Sequence, residues 1–277
     1  MYNLKELKLA LEDIFSAGPD SVHVLADFDG TLTKEYIDGK KIPSLISVLR
    51  DHPGYLSAKY QLKAHELYAQ YSPFEKDTQL GFPARKDKML EWWTRHKKLL
   101  IDSGLKRQHL EDLSRSDFIQ WRDGAVEFLK LMSKAKIPVV IMSASGIGEV
   151  VPMFCKARGI DFENMHYIVN GFVWAENGSA IDWQRPIIHS LNKDETILKD
   201  HKDIYKIVSH RRNVLLLGNN TGDLGMIKGF ETEKLLSFGF LDKEELALEA
   251  EYKKYFDQVL ISDDFVRINK VLSEFMK

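Results

Sequence analysis

Two aspartates one residue apart, Asp27 and Asp29, end the β-branched apolar run that begins at Val22. Such a run is typical of a buried strand of an α/β sheet, and ligands of these sheets bind where the strands end. Adjacent carboxylates repel each other unless a cation or a proton relieves them. The spacing therefore predicts a metal-assisted aspartyl nucleophile, in which Asp27 attacks phosphorus, Mg²⁺ gathers the oxygens and Asp29 moves protons. The alternative is a plain strand followed by an Asp-Gly turn.

Three later loops carry polar groups that would lie at the same edge of the sheet. Ser143 follows an apolar run, and the small residues Ala144 and Ser145 after it let backbone N–H groups approach an anion. By itself this loop is more typical of a helix cap. The glycine- and asparagine-rich loop 218–223 follows another apolar run and is well suited to metal or phosphate ligands. Lys193 lies in the third loop, where a lysine is ordinarily a solvated charge.

Alternating helix and strand patterns after residue 120 must position these loops. Strand patterns occupy residues 137–142, 166–169 and 213–218, with weaker ones at 235–238 and 258–261. Helical patterns lie at 126–132 and 150–158, and Asn177-Gly178 predicts the turn of a hairpin across 172–181. The alternation predicts a parallel sheet with helices on both faces.

Residues 36–120 break this rhythm, since they hold helical patterns rich in Lys, Glu, Trp and Tyr and no convincing buried strand. The simplest arrangement is a helical insertion whose ends emerge beside Asp27 and which closes over the site as a lid. The predicted fold is therefore α/β, with a three-layer, Rossmann-like parallel sheet core and an inserted helical cap domain. Residues 1–35 and 121–277 would form the core, and residues 36–120 the cap.

Composition argues against several classes of protein. The 277 residues carry 39 Lys and Arg against 41 Asp and Glu, a formal net charge of −2, which does not favour binding of nucleic acid polymers. No apolar run approaches the ~20 residues needed to span a membrane, and the N-terminus lacks a signal-peptide core. The single cysteine, Cys155, fits a reducing cytoplasm. We expect a cytoplasmic protein without a membrane partner, and a monomer or weak dimer.

The run Asp27-Phe28-Asp29-Gly30-Thr31-Leu32-Thr33 resembles the first motif of the haloacid dehalogenase superfamily of phosphatases. Ser143, Lys193 and the loop 218–223 resemble its second, third and fourth motifs, in the same order. The resemblance implies that Asp27 is the nucleophile and Asp29 the general acid/base. It also implies that Ser143 and the residues after it hold phosphate, and that Lys193 neutralises the phosphoryl oxygens.

The chain more specifically resembles the cytosolic 5′-nucleotidase III, or pyrimidine 5′-nucleotidase, family. The runs that carry this resemblance extend over nearly the whole chain: 39–44, 91–96, 116–124, 143–148, 192–193, 222–226 and 238–241. It implies a Mg²⁺-dependent enzyme that hydrolyses a nucleoside 5′-monophosphate, of the CMP or UMP type, to nucleoside and phosphate. The alternatives are another small-metabolite phosphatase, such as a phosphoserine phosphatase, and a catalytically weak nucleotide-binding protein.

The implied metal ligands are Asp27, Asp29 through its backbone carbonyl, Asn219 and Asp223. Where the family has Gly-Asp-Ser, this chain has Gly218-Asn219-Asn220, so one ligand loses its negative charge. We expect Asn219→Asp to lower the Mg²⁺ concentration that activity requires. The second departure is one extra residue, Ser145, in the loop after Ser143.

Within the insertion, Phe74-Glu75-Lys76-Asp77 resembles the family's Ile-Glu-x-Asp segment, whose glutamate contacts the nucleotide base. The resemblance implies that Glu75 accepts hydrogen bonds from an exocyclic amine or ring N–H of the base. Trp93 matches an aromatic position near the base, where it would stack. The alternatives are a solvated Glu75 and a Trp93 in the core; for Trp92 we expect the core.

Overall fold

The computed structural model describes residues 4–75, 77, 79–194, 200–228, 231–262 and 265–275. Its strands are β1 (Val22–Ala26), β2 (Tyr36–Ile37), β3 (Lys40–Lys41), β4 (Val139–Ser143), β5 (Met165–Val169), β6 (Phe172–Trp174), β7 (Ala180–Trp183), β8 (Asn213–Gly218), β9 (Lys234–Leu241) and β10 (Gln258–Ile261). Its α-helices are α1 (Leu4–Ile14), α2 (Leu45–Asp51), α3 (Ala58–Glu75), α4 (Phe82–Asp102), α5 (Arg107–Arg115), α6 (Ala125–Lys134), α7 (Val150–Ala157), α8 (Lys202–Val208), α9 (Glu249–Tyr252) and α10 (Phe265–Phe275). The strands and helices predicted after residue 120 are confirmed, including the hairpin formed by β6 and β7.

Six strands form one sheet in the order β10-β9-β8-β1-β4-β5. Every pair in it is parallel. The chain passes from β1 to one side through β4 and β5, and then returns to the other side through β8, β9 and β10. The direction of winding therefore reverses around β1, and open parallel sheets bind ligands at the carboxyl edge of such a point.

Successive residues of the central strands alternate between two apolar layers, as the pleat of a strand requires. Val24 and Ala26 pack in one cluster with residues of α1, α6, α7 and α10. Leu25 and Val140 pack in a second cluster on the opposite face, together with Val208 of α8. Because both faces of β1 are covered, its burial is complete, and the predicted three-layer α/β core is confirmed.

The helices between β3 and α6 divide into two parts. Residues of α2 and α5, such as Leu49 and Leu113, belong to the same apolar cluster as the sheet. The region where α3 meets α4 instead has a small cluster of its own, formed by Tyr71, Met89 and Trp92. The insertion is therefore anchored in the core, and its α3–α4 hairpin projects from it. The division of the chain at residues 36 and 120 stays a prediction.

Among the described residues, no helix combines the length and the apolar content needed to cross a lipid bilayer.

Candidate active site

The chain leaves the sheet at Asp27, whose backbone N–H still donates to the Leu217 carbonyl at 2.9 Å. A short helical turn, Phe28–Leu32, follows, with Gly30 at a φ of +75°. A Cβ atom at Gly30 would lie 2.2 Å from Nδ2 of Asn219. Glycine is therefore required here both by its backbone angle and by the close approach of Asn219.

Arg122 holds this turn in place through the turn's backbone carbonyls. Its guanidinium donates to the Gly30 carbonyl at 2.7 Å and to the Thr31 carbonyl at 3.2 Å. The same group forms a bidentate pair with Asp242 at 2.9 and 3.2 Å. Because the buried guanidinium contacts both the turn and the residue that follows β9, it ties the loop after Asp27 to the end of β9.

The ammonium group of Lys193 lies between two buried carboxylates. It forms an ion pair with Asp27 and another with Asp223, the latter at 3.0 Å. Burial raises the pKa of Asp27 to about 7, against the opposing effect of Lys193, while the charges of Asp223 and Asp29 raise it further. The ammonium group thus stands where it can neutralise charge that develops on a group bonded to Asp27.

Asp29 occupies the other side of the pocket, where the Ser143 hydroxyl lies 3.4 Å from its Oδ2. Burial raises the pKa of Asp29 to about 6, partly offset by Lys193 and by the Ser143 hydrogen bond. A carboxyl group whose pKa lies this close to neutrality can both donate and accept a proton. The predicted pair of aspartates therefore meets Ser143 and Lys193 at one edge of the sheet.

The loop after β4 is held by its neighbours. The Ser145 N–H donates to the Ser143 hydroxyl at 3.1 Å, and Ala144 packs against the second apolar cluster. The Asn170 side chain donates to the Ser145 carbonyl at 2.9 Å and to the Ile188 carbonyl at 2.7 Å. Asn170 thus links the serine loop to the segment that leads to Lys193.

Both oxygens of Asp223 accept hydrogen bonds within the protein. Oδ1 accepts from Lys193, and Oδ2 accepts from the Asn220 N–H at 3.0 Å. The second contact belongs to a capping box at the start of the helical turn Thr221–Ile227. These contacts give Asp223 a role in holding Lys193, and its role as a metal ligand stays a prediction.

The side chain of Asn219 is also held on both of its polar atoms. Its Nδ2 donates to Oε2 of Glu35 at 3.0 Å, and its Oδ1 lies 3.4 Å from the Thr31 hydroxyl. Lys41 contacts the other oxygen of Glu35 at 2.6 Å. Besides Asp223, Glu35 is therefore a further acid near the pair of aspartates, and it contributes to the raised pKa of Asp29.

The donor set of the pocket fits a hard cation. Asp27 is buried and Asp29 is partly buried, and both carboxyl groups face the same pocket, where burial raises the pKa of each. The other polar groups of the turn are backbone carbonyls and the Asn219 amide oxygen, and Mg²⁺ prefers such oxygen ligands. Within the described part of the chain, no group of three or more His, Cys, Asp and Glu side chains is placed to hold a metal. Carbonyl and amide oxygens would therefore have to complete the ligand set.

The α3–α4 hairpin contacts the pocket at two points. The Ser190 hydroxyl donates to Glu75 at the end of α3, and Ser190 lies in the loop that carries Lys193. Trp93 lies against Gly146 of the serine loop, where an added Cβ would come within 2.1 Å of the indole ring. Trp93 is also stacked between Trp92 and His96, with centroids 5.5 Å from each. Trp92 is buried, as expected from the sequence.

Sequence reasoning did not assign a role to Glu35, Asn170 or the buried Lys97. Lys97 donates to the Gly146 carbonyl at 3.1 Å, and burial lowers its pKa to about 7. Arg122 was likewise given no role from the sequence, although it lies within the family-like run 116–124. The other three sit in loops or helices whose local pattern is ordinary, so their contacts become visible only in the folded chain.

Comparison with known proteins identifies the family of this chain. A family model described as pyrimidine 5′-nucleotidase (UMPH-1) matches residues 30–276. The chain belongs to this family. The predicted family is thereby confirmed, and the pyrimidine 5′-nucleotidase family is one of phosphomonoester hydrolases.

Individual relatives of this pyrimidine 5′-nucleotidase family member are similar over almost their whole length. It is 28% identical over 260 residues to 7-methylguanosine phosphate-specific 5′-nucleotidase A of Xenopus laevis, covering 94% of this chain and 89% of the relative. It superposes on cytosolic 5′-nucleotidase IIIB bound to cytidine with a TM-score of 0.83 at 25% identity, covering 100% of this chain and 92% of that one. A phospho-aspartyl intermediate analogue of phosphoserine phosphatase has a TM-score of 0.51 at 18% identity, over 90% of this chain and 97% of that chain, and so shares the fold.

Proposed function

We propose that this protein hydrolyses nucleoside 5′-monophosphates to nucleoside and phosphate through an aspartyl-phosphate on Asp27. The observation that carries the proposal is the pocket itself. Asp27, Asp29, Ser143 and Lys193 meet at one sheet edge, directly beneath a helical hairpin that presents Glu75. Nucleophile, proton carrier and cation for the phosphoryl oxygens are thus within reach of one phosphate group.

The reaction has two steps. In the first, a carboxylate oxygen of Asp27 bonds to phosphorus, the bond from phosphorus to the 5′ oxygen breaks, and Asp29 gives that oxygen a proton. In the second, Asp29 takes a proton from water, whose oxygen bonds to phosphorus as the bond to Asp27 breaks and phosphate leaves. Lys193 and Ser143 hold the phosphoryl oxygens throughout.

Mg²⁺ is the proposed cofactor. Asp27, the Asp29 carbonyl and Asn219 would hold it, and Asp223 is the further candidate ligand. When bound, the ion supplies positive charge that offsets the negative charge of the phosphoryl oxygens and of the two aspartates. Removal of Mg²⁺ by a chelator is expected to abolish phosphate release.

We propose CMP as the leading substrate and 7-methylguanosine monophosphate as the second candidate. Glu75 would accept a hydrogen bond from an exocyclic amine, which both bases carry, and Trp93 would stack on the ring. The second candidate is favoured by the name of the Xenopus laevis relative. The similar solved structure of cytosolic 5′-nucleotidase IIIB contains cytidine, which supports CMP.

A phosphate-release screen tests the proposal. CMP, UMP, GMP, AMP, 7-methylguanosine monophosphate, phosphoserine and an aryl phosphate would each be assayed with Mg²⁺ and with chelator. We expect Mg²⁺-dependent release that is fastest from one of the two leading nucleotides. Fastest release from phosphoserine would identify a different small-metabolite phosphatase, and no release from any nucleotide would leave a nucleotide-binding protein.

We further propose that the protein acts in the cytoplasm as a monomer or weak dimer, without a membrane or nucleic acid polymer as partner. The chain has a single cysteine, Cys155, and therefore no intramolecular disulfide, which supports a reducing compartment.

A further inference from the structure

Glu35 is the acid of the pocket to which the proposed reaction gives no task. It is partly buried, with 19% of its side chain exposed, and it faces the amide of Asn219 rather than solvent. Its two oxygens have different partners. One accepts from Asn219 at 3.0 Å, and the other accepts from Lys41 of β3 at 2.6 Å.

The contact with Glu35 determines which way the Asn219 amide points. A carboxylate at this distance can only accept, so the atom that faces Glu35 must be the NH₂ group. The amide oxygen is therefore directed away from Glu35, toward the turn that contains Thr31 and follows Asp29. Without the carboxylate, the amide could rotate by half a turn. The NH₂ group, which does not bind cations, would then take the place of the oxygen.

Three features of the turn favour this arrangement. Gly30 leaves the space for it, because a Cβ there would lie 2.2 Å from Nδ2 of Asn219 and 3.0 Å from Oε2 of Glu35. The Tyr252 hydroxyl donates to the Asn219 carbonyl at 2.5 Å and fixes its backbone. Lys41 holds the carboxylate from the other side. The pair is thus partly buried and held by its neighbours rather than formed by two solvated side chains.

We propose that Glu35 is a positioning residue for the metal site, which fixes the Asn219 amide oxygen toward the cation and adds a nearby negative charge. The inference rests on the proposed function, since it assigns a task at the same site. A neutral amide ligand is weaker than a carboxylate toward a hard cation. A carboxylate that accepts a hydrogen bond from the ligand's NH₂ group makes the amide oxygen more negative and restores part of that attraction.

The same contact changes the expectation for Asn219→Asp. The sequence alone predicts that this substitution lowers the Mg²⁺ requirement. In the structure, the new carboxylate would face Glu35 at about 3 Å, where like charges repel strongly. The single substitution is therefore expected to bind Mg²⁺ no better than the parent protein. Only the combined exchange Glu35→Gln with Asn219→Asp keeps one acid and one amide in contact.

Calorimetric titration of Mg²⁺ into the full-length protein, without substrate, tests the proposal. We expect Glu35→Gln to weaken Mg²⁺ binding by about tenfold or more, and the double variant to recover the parent's affinity or exceed it. Glu245→Gln is the matched control, because Glu245 also contacts Lys41, at 3.4 Å, but accepts its other hydrogen bond from the Tyr36 hydroxyl and not from Asn219. It should leave Mg²⁺ affinity unchanged.

Thermal unfolding in chelator and in Mg²⁺ separates a positioning role from a structural one. We expect Glu35→Gln to match the parent's stability in chelator and to lose most of the stabilisation by Mg²⁺. Equal Mg²⁺ affinities of the parent and Glu35→Gln would overturn the proposal, as would a double variant that binds no better than Glu35→Gln. Either result would leave the proposed function standing if the parent protein still releases phosphate from nucleotides. Absence of phosphate release by the parent protein would instead contradict the proposed function itself.

Discussion

The carboxylates around Lys193 share one cation. Asp27 and Asp223 both pair with its ammonium group, and all three side chains are buried. Removal of one partner from a buried ion pair is normally costly because the other charge is left unpaired. Here the second aspartate remains, so Lys193 keeps a counter-ion when Asp27 is neutralised. This redundancy means that the role of Asp27 can be studied by mutation in a folded protein.

Asp27→Asn is expected to lower multiple turnover by about a thousandfold or more, because an amide of the same shape is not an anionic nucleophile. Phosphate release measures the effect, and circular dichroism checks that the fold is retained. Asp20→Asn is the control, since it makes the same chemical change at a side chain that is 97% exposed. A beryllium fluoride adduct on the parent but not on Asp27→Asn would be the matching structural result. Turnover by Asp27→Asn near the parent's rate would contradict the covalent mechanism.

Sequence reasoning reached the site residues that follow long apolar strands. Asp27, Ser143 and the 218–223 loop each end such a strand, and parallel strands that neighbour one another must end at one edge. Glu35 was not predictable in this way. It lies in a turn with no periodic pattern, and its partner Asn219 is far away along the chain, so their contact depends on the fold as a whole.

At the scale of elements, the α3–α4 hairpin acts as one body above the pocket. Tyr71, Met89 and Trp92 form its own small core, and Tyr60 of α3 contacts His96 of α4 at 3.0 Å. Near the pocket, its contacts fall on the serine loop and on the Lys193 loop, while Tyr60, Ala64 and Leu100 pack its other end into the main core. Substitutions at the hairpin's lower surface should therefore affect substrate choice more than the chemistry beneath it.

Glu75→Ala and Trp93→Ala are expected to weaken discrimination between nucleotides by about 1–3 kcal/mol, with a smaller effect on an aryl phosphate. The physical reason is the loss of a base hydrogen bond or of a stacking surface, neither of which an aryl phosphate uses in full. The measurement is kcat/KM for CMP, 7-methylguanosine monophosphate and the aryl phosphate. Equal losses on all three substrates would show that the substitutions only damaged packing of the hairpin.

Arg122 joins two elements, the turn after Asp29 and the segment after β9. Arg122→Met is expected to lower the free energy of unfolding by about 3 kcal/mol, because it leaves Asp242 without its partner and the Gly30 carbonyl without its donor. Urea unfolding measures the loss. Adding Asp242→Asn should recover part of it, since the unpaired charge is then removed. A double variant no more stable than the single one would contradict this account.

At the scale of the whole molecule, the sheet was predictable, whereas the surface that each inserted helix covers was not. The strands of the core are buried on both faces, so their sequences are almost continuously apolar and easy to recognise. Between residues 36 and 120, α2 and α5 pack into the main core, while the region where α3 meets α4 has a small core of its own. All four are amphipathic or mixed in pattern, and such patterns do not say which surface a helix covers.

Buried histidines give the molecule a pH-dependent stability. Burial lowers the pKa of His96 to about 4 from its ordinary 6.5, so between these values the unfolded chain binds the additional proton. Acidification through this range therefore lowers the free energy of unfolding, by up to about 3 kcal/mol for this group. His96→Gln should show a correspondingly smaller difference between urea unfolding at pH 7 and at pH 4.5. The exposed His65→Gln serves as control, and parallel pH profiles of parent and His96→Gln would contradict the assignment.

Ser190, whose hydroxyl donates to Glu75, lies three residues before Lys193 in the same loop. Asp194, the residue after Lys193, forms an ion pair with Lys86 of α4 at 3.2 Å. The group that would recognise the base is thus hydrogen-bonded to the same short loop that carries the cation that would stabilise the transferring phosphoryl group. A nucleotide with the wrong base would disturb the cation rather than simply fail to enter, so the penalty would fall on the transition state. We expect poor nucleotides to occupy the site with ordinary KM values and low kcat, and so to act as competitive inhibitors of the good one.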